Sequence, residues 1–385
     1  KTLSEGQGEV LRAAQIFQFF AGECVRYGGE SLPSVRPGIE VQVGRHPVGV
    51  VSLITPWNFP IAIPAWKMAP ALAFGNTVVL KPSEYTPGVA HALFRILENQ
   101  GLPPGVANLV NGRGADAAQS LLGGVDAVSF TGSVRTGRSV AQLAMGGMIR
   151  VQLEMGGKNP LVVLDDADLD VAVECALNGA FFSAGQRCTA SSRLIVGEKI
   201  HDRFVEALSQ RMRQLKIGNS LDKQTQIGPV INQAQLDKVL QYIQIGRDEG
   251  AELVEGGGVA QCSTPGYFVQ PTLFARAGNA MRISQEEIFG PVAAVIRVSG
   301  YDEALATAND TPYGLSAGIC TTSLRHAHHF RQHVKSGLAM VNLPTAGLDY
   351  HVPFGGTKAS SYGPREQGRH AVEFYTVGKT AYMAY

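Results

Sequence analysis

The chain has no charge excess, no paired cysteines and no uninterrupted apolar run, and each lack argues against a class of function. Lys and Arg (33) nearly balance Asp and Glu (32), for a net charge of +1. Without a basic excess there is no electrostatic footprint for nucleic acid or an anionic membrane surface, and neither is expected as a partner. The five cysteines (Cys24, Cys175, Cys188, Cys262 and Cys320) are widely spaced, odd in number and form no CxxC pair. That argues against a disulfide framework or structural zinc, and fits a reducing cytoplasm. Residues 50–74 are apolar, but Pro56, Pro60, Pro64 and Pro70 interrupt them, as do Asn58 and Lys67. A membrane span does not read this way. No HExxH accompanies His326, His328, His329 and His333. His329 and His333 have i, i+4 spacing, yet without a third ligand type they read as a solvated helix face, and no metal is expected.

What is present is an ordinary globular composition, 45% hydrophobic and 17% charged, over 385 residues. That is enough chain for two or three domains. It opens at Lys1 with neither an initiator Met nor a signal-peptide pattern.

Short β-branched runs alternate with amphipathic stretches. Strands are predicted over 48–54, 77–80, 107–110, 127–130 and 150–153. Helices are predicted over 62–74 (stopped by Gly75), 86–100 (stopped by Gly101), 115–122 and after Ser133. This βαβα rhythm implies a parallel sheet covered on both faces. It restarts with strands at 161–164, 193–196, 292–298, 317–320 and 339–342 and helices at 169–183, 200–215, 233–249, 301–309 and 324–335. A second α/β domain follows, with its boundary near Gly156-Gly157. The alternation at 35–44 and at 373–380 reads as antiparallel strands of a small appendage that pairs with another subunit.

Several segments carry chemistry. Glu154-Met155-Gly156-Gly157-Lys158 precedes Gly185-Gln186-Arg187-Cys188. A thiol is a good nucleophile once ionised, and a carboxylate can activate water. Cys188 between Arg187 and Thr189, in a loop after a helix, is poorly placed for the usual role of an unbridged cysteine as a small hydrophobe. Glu154 would otherwise be a capping or salt-bridged acid, but its flanking glycines favour a site. Asn58, within Pro56-Trp57-Asn58-Phe59-Pro60, is a rigid amide donor for an oxyanion or, as readily, a turn residue. Lys81-Pro82-Ser83-Glu84 follows a strand, where a lysine and an acid can hold ribose hydroxyls; read alone it is a solvated loop. Phe130-Thr131-Gly132-Ser133 joins strand to helix, and Ser133 can cap a helix N-terminus that attracts phosphate. The spacing is not GxGxxG, and alone such a turn is more often structural.

Taken together, these segments resemble the aldehyde dehydrogenase superfamily. The match runs through PWNFP at 56–60, KPSE at 81–84, FTGS at 130–133, EMGGK at 154–158, GQRC at 185–188, EEIFGP at 286–291 and PFGGTKASSYGPRE at 353–366, in the family's order. Met155 stands where many members have Leu, and Ser360-Ser361-Tyr362-Gly363-Pro364 where many have Ser-Gly-x-Gly. That tail, with GQRCTASSR at 185–193 and Glu373-Phe374-Tyr375-Thr376, is similar to the subgroup oxidising α-ketoglutarate semialdehyde (2,5-dioxopentanoate). The resemblance implies an α/β fold: a Rossmann-type NAD(P)-binding domain over 1–28 and 45–155, a catalytic domain over 156–357, and oligomerisation strands at 29–44 and 371–385. It also implies a further N-terminal segment of the cofactor domain ahead of residue 1, and a homodimer or homotetramer.

The roles it implies are these. Cys188 attacks the aldehyde, Asn58 and the Cys188 N–H hold the oxyanion, and Glu154 activates the water that releases the acid. Trp57, Lys81, Ser83, Glu84, Gly132, Ser133, Glu287 and Phe289 bind the cofactor. Glu84 repels a 2′-phosphate, so NAD is expected over NADP. Phe59, Trp66 and Phe354 line the substrate tunnel. Arg187 either reads the carboxylate of an acidic semialdehyde or is a structural Arg bonded to the backbone. Other semialdehydes (succinate, glutarate) or a broad aldehyde range are the alternatives. A CoA-acylating relative has no need of Glu154, an inactive structural homologue no need of Cys188, Glu154 and Asn58 together, and a thiol hydrolase wants a histidine base that no local signature supplies.

Overall fold

A computed structural model describes residues 1–114 and 120–385. Helix α1 (Leu3–Glu23) lies outside the pattern read from sequence. A reciprocal cap starts it: Thr2 N–H donates to Glu5 Oε2 (2.9 Å) and Glu5 N–H to Thr2 Oγ1 (3.4 Å). Its buried stripe, Glu9, Ala13, Ile16, Phe20 and Glu23, follows helical spacing. Strands β1 (Glu30–Pro33) and β2 (Ile39–Pro47) form an antiparallel hairpin. The strand expected over 35–44 therefore begins only at Ile39, and β1 lies ahead of it. The turn falls at 34–38, where Pro37 and the left-handed Gly38 (φ 74°) break extended backbone.

β3 (Val50–Ile54), α2 (Ala62–Ala73), β4 (Thr77–Lys81), α3 (Pro87–Asn99), β5 (Ala107–Leu109), β6 (Ala127–Thr131), α4 (Val134–Gly146) and β7 (Arg150–Glu154) follow the predicted rhythm closely. The helix expected over 115–122 falls mostly on residues 115–119, outside the described residues. Gly75 (φ 83°) and Gly101 (φ 82°) take the left-handed backbone that stops α2 and α3. Next come β8 (Asn159–Val163), α5 (Leu169–Phe181), β9 (Ser191–Gly197), α6 (His201–Arg213), α7 (Gln233–Asp248), β10 (Glu252–Glu255), β11 (Thr272–Ala275), α8 (Arg282–Gln285) and β12 (Val292–Val298). After them run α9 (Tyr301–Asn309), β13 (Tyr313–Gly314), β14 (Ser316–Cys320), α10 (Leu324–His333), β15 (Leu338–Val341), β16 (Thr357–Lys358), β17 (Ser361–Tyr362), α11 (Val372–Tyr375) and β18 (Thr376–Ala384). The strand expected from 373 starts later because Val372, Phe374 and Tyr375 are buried on a helical turn.

The chain packs as two units. One comprises Gly8–Glu154, Asp349–Phe354 and Tyr362–Tyr385; the other comprises Lys1–Gln7, Met155–Leu348 and Gly355–Ser361. The sheet of the first has the order β17-β7-β6-β3-β4-β5, and β3 to β7 are all parallel. The chain winds outward from β3 through β4 to β5, then returns to the other side of β3 for β6 and β7. That reversal creates a crevice at the C-terminal ends of β3 and β6, where such sheets bind ligands. Val51, Leu53, Val78 and Leu80 are fully buried beneath α2 side chains Ile63 and Met68. Each such burial is worth about 1.5–3 kcal/mol. Separately, β18 pairs with β2 along its whole length in the antiparallel sheet β1-β2-β18, of which it is an outer strand.

The second unit is built on a seven-stranded sheet, order β10-β11-β12-β9-β8-β14-β15, parallel throughout except for β10. β8 and β14 are buried at every position, as strands covered on both faces must be.

Candidate active site

In the second unit, α5 begins at its Asp168 cap, whose Oδ1 accepts from Val171 N–H (3.1 Å), and ends at Phe181. The chain then turns through three consecutive left-handed residues, Ser183 (φ 56°), Ala184 (φ 52°) and Gly185 (φ 66°). Left-handed backbone costs a non-glycine residue roughly 1–2 kcal/mol, so Ser183 and Ala184 stay there only because their surroundings hold them. Gly185 is needed for a second reason: a Cβ there would collide with the backbone of Gly290 and Pro291.

Cys188 follows, half-buried. Its carbonyl accepts from Asn159 Nδ2 (2.8 Å), which also donates to the Ala190 carbonyl (3.0 Å). Asn159 Oδ1 in turn accepts from Ser316 N–H (3.0 Å), so β8 and β14 anchor the loop together. Thr345 Oγ1 donates to the Thr189 carbonyl (2.6 Å). Arg187 Nε donates to Ser183 Oγ (3.0 Å), its Nη1 approaches Asn178 Oδ1 (3.4 Å), and its Nη2 lies 3.5 Å from Glu5 Oε1. Burial lowers the Arg187 pKa, and the Glu5 carboxylate opposes that.

Glu287, half-buried, lies against the same glycine pair that follows Glu154. Its Oε1 accepts from Gly157 N–H (3.1 Å), and a Cβ on Gly156 would strike its carboxylate. Burial raises the Glu287 pKa against the Gly157 hydrogen bond and the charges of Lys238 and Lys158. Lys158 is fully buried, and among the described residues its Nζ has no hydrogen-bond partner. Burial, then the Arg193 charge, bring its pKa down to about 7 despite Glu287. Phe289 is left-handed (φ 61°) in the same loop.

In the first unit, the expected cofactor residues gather at the C-terminal ends of parallel strands. Trp57 and the buried Asn58 follow β3. Lys81 ends β4, and its Nζ lies 3.7 Å from Glu84 Oε2; Ser83 between them is buried. Gly132 and Ser133 follow β6, and Ser133 Oγ accepts from Thr136 N–H (3.3 Å) as the cap of α4. Glu154 ends β7, buried, with its carbonyl accepting from Gly132 N–H (3.0 Å). A helix N-terminus, a lysine and a carboxylate along this crevice suit the pyrophosphate and ribose of a dinucleotide. Trp66 and Phe354 pack with ring centroids 5.4 Å apart, and Phe59 lies against the same apolar cluster as Trp66.

Sequence reasoning passed over several residues here. Asn159 reads as an ordinary strand position, and Lys158 as the end of a motif. Lys67 looks like an interruption of an apolar helix, yet it is fully buried, paired with Glu366 and donating to Ser129 Oγ (2.7 Å). Glu5 alone had a readable signal, the Thr2-x-x-Glu5 spacing of a capping box.

On α10, His329 Nδ1 meets the Tyr301 hydroxyl (2.7 Å) and its ring stacks on His333 at 3.8 Å, so the two rings lie face to face. Among the described residues no group of three side chains is arranged to hold a metal, and no helix is long and apolar enough to cross a membrane.

The aldehyde dehydrogenase family model matches residues 1–381. The α-ketoglutarate semialdehyde dehydrogenase of Haloferax volcanii is 47% identical over the whole chain and 80% of its own length. The α-ketoglutaric semialdehyde dehydrogenase of Bacillus subtilis is 46% identical, again over the whole chain and 79% of its own length. The crystal structure of betaine aldehyde dehydrogenase from Staphylococcus aureus in complex with NAD+ superposes on the whole chain and 77% of that protein, with a TM-score of 0.96 and 38% identity. The chain belongs to the aldehyde dehydrogenase family, the NAD(P)-dependent oxidoreductases of small aldehydes.

Proposed function

We propose that the protein oxidises an acidic semialdehyde of the 2,5-dioxopentanoate class to the dicarboxylic acid, with NAD as its preferred cofactor. Cys188 is the nucleophile. Its thiolate adds to the aldehyde carbon, and the Asn58 amide and the Cys188 N–H stabilise the oxyanion that forms. When the oxyanion collapses to a carbonyl, the former aldehyde C–H leaves as a hydride, which NAD would accept, and a thioester to Cys188 remains. Glu154 then takes a proton from the water that cleaves the thioester, so the product leaves as a carboxylate and the thiol is restored. Lys81, Ser83 and Glu84 hold the adenosine ribose, and Glu287 and Phe289 the nicotinamide end. Gly132 and Ser133 face the pyrophosphate, and Trp57 borders the cofactor. Phe59, Trp66 and Phe354 line the aldehyde's path.

The observation that carries this reading is the cysteine loop. A half-buried thiol stands after a left-handed turn and is fixed through its own carbonyl by Asn159. A cysteine that merely fills a core needs no such anchoring. The substrate class rests on the two semialdehyde dehydrogenases at 47% and 46% identity. The NAD preference rests on Glu84. Residues 1–28 and 45–155 bind the cofactor, residues 156–357 carry catalysis, and 29–44 with 371–385 assemble the chain into a homodimer or homotetramer. The outer strand β18 supports that assembly, since an outer strand can accept another. A cytoplasmic setting suits a catalytic thiol that must stay reduced.

The test is NADH formation with 2,5-dioxopentanoate beside succinate semialdehyde and propanal, using Cys188→Ala as control. Preference for the first, abolished in the variant, is the expected result. Equal turnover of all three would remove the acidic substrate, and turnover surviving in Cys188→Ala would remove the nucleophile.

A further inference from the structure

We propose that Glu5 is a positioning residue for the nucleophile loop, acting through Ser183 and Arg187. This rests on the reading of Cys188 as nucleophile. The two oxygens of Glu5 do different jobs. Oε2 accepts from Thr2 N–H (2.9 Å) in the cap that starts α1, which fixes the side chain's direction. Oε1 accepts from both the N–H (2.7 Å) and the Oγ–H (2.8 Å) of Ser183, the first left-handed residue of the turn.

Ser183 Oγ, with its proton directed to Glu5, accepts from Arg187 Nε (3.0 Å), and Arg187 Nη2 completes the ring 3.5 Å from Glu5 Oε1. Around this ring Ser183 Oγ donates once and accepts once, and Glu5 Oε1 closes it as acceptor from Ser183 at one end and ion-pair partner of Arg187 at the other. It spans 183 to 187, so it encloses Ala184 and Gly185 and ends one residue before Cys188. Burial raises the Glu5 pKa, but the bonds from Thr2 and Ser183 and the Arg187 charge outweigh it, and the carboxylate stays ionised.

Ser183 and Ala184 both carry a Cβ in backbone that favours glycine. A carboxylate that grips the N–H and hydroxyl of the first of them opposes relaxation of the turn. The same ring accounts for the guanidinium of Arg187, which faces Glu5, Ser183 and Asn178.

The test uses the full chain with four variants: Glu5→Ala, Glu5→Gln, Ala184→Gly and Glu5→Ala/Ala184→Gly. Readouts are kcat, KM for aldehyde and for NAD, and the rate of iodoacetamide alkylation at Cys188 followed by peptide mass spectrometry. Small displacements of a reacting group cost up to about a hundredfold. Glu5→Ala should therefore lower kcat by about ten- to a hundredfold, with KM for NAD unchanged and alkylation of Cys188 altered. Glu5→Gln, which keeps one acceptor oxygen, should fall between. In the double variant Ala184→Gly should restore much of the lost kcat, because glycine enters left-handed backbone without a clamp.

Unchanged kcat and alkylation in Glu5→Ala would overturn the proposal. So would a loss that Ala184→Gly does not relieve, since general destabilisation has no reason to respond to that glycine. Full turnover in Cys188→Ala would instead overturn the nucleophile reading and leave the alkylation comparison to judge the clamp.

Discussion

Asn159 Nδ2 lies 2.8 Å from the carbonyl oxygen of Cys188 and 3.0 Å from that of Ala190, while its Oδ1 accepts from Ser316 N–H. One buried amide thus ties the cysteine loop to the central strands β8 and β14. Asn159→Ala removes the acceptor for a buried N–H and the donor for two carbonyls. Each buried group left without its partner costs about 1–3 kcal/mol. The variant should unfold at lower urea concentration and lose kcat by at least about tenfold, with KM for NAD little changed. A normal kcat in a folded Asn159→Ala protein would show that this amide supports the loop without setting its geometry.

The elements that sequence reasoning found are those whose signal is local. Val50–Ile54 and Thr77–Lys81 are short runs rich in β-branched residues, and Gly75 and Gly101 mark helix ends through their left-handed backbone. β10 and β11 were not legible: each is four residues long, and long irregular chain separates them. Of the strand expected over 35–44, residues 39–44 lie in β2 and 35–38 in the turn, because alternation continues through that turn and only Pro37-Gly38 marks the break. The same limit applied to the site. GQRC and EMGGK are contiguous and stand out, whereas Glu5 reaches Ser183 across 178 positions and Lys67 reaches Glu366 across 299. No window along the chain contains both ends of either bond.

The cofactor preference is open to direct measurement. Glu84 Oε2 stands 3.7 Å from Lys81 Nζ, so a 2′-phosphate placed there would meet a carboxylate as well as an ammonium. The protein should show a higher kcat/KM with NAD than with NADP. Glu84→Gln should narrow the ratio by about tenfold, the effect of roughly 1.4 kcal/mol of removed repulsion. Equal kcat/KM for the two cofactors in the unaltered protein would remove Glu84 as the discriminating group.

Arg187 offers a second contrast. Its guanidinium is engaged with Glu5, Ser183 and Asn178. Arg187→Ala should therefore lower kcat by similar factors for 2,5-dioxopentanoate and for propanal. A KM increase confined to the acidic aldehyde would give Arg187 the task of reading the substrate carboxylate.

Lys158 makes stability depend on pH. Its ordinary value of 10.5 falls to about 7 in the fold, chiefly through burial. Below about pH 7 the lysine is protonated whether folded or unfolded, and its burial opposes folding in full. Between about pH 7 and pH 10 only the unfolded chain holds the extra proton, so stability rises with pH across that window. Lys158→Met should flatten this rise and raise the urea midpoint most at the acidic end. Urea midpoints from about pH 6 to pH 9 measure it, and parallel curves for the two proteins would refute the assignment to Lys158.

Among the described residues, the pair formed by Lys67 and Glu366 is the most deeply buried ion pair of the first unit, and Lys67 also donates to Ser129 Oγ (2.7 Å), which donates to Gln152 Oε1 (2.8 Å). Removing one member of such a pair leaves a charge uncompensated in a dry interior, at a cost of about 3–5 kcal/mol. Lys67→Met alone should therefore destabilise the protein severely. Lys67→Met/Glu366→Leu removes both charges and should recover much of the loss, because a buried ion pair contributes little beyond what apolar residues of similar size supply. Urea unfolding of the single and double variants decides it. If the double variant is as unstable as the sum of the two single ones, the charges are not each other's main partner, and the hydrogen bonds through Ser129 and Gln152 hold them instead.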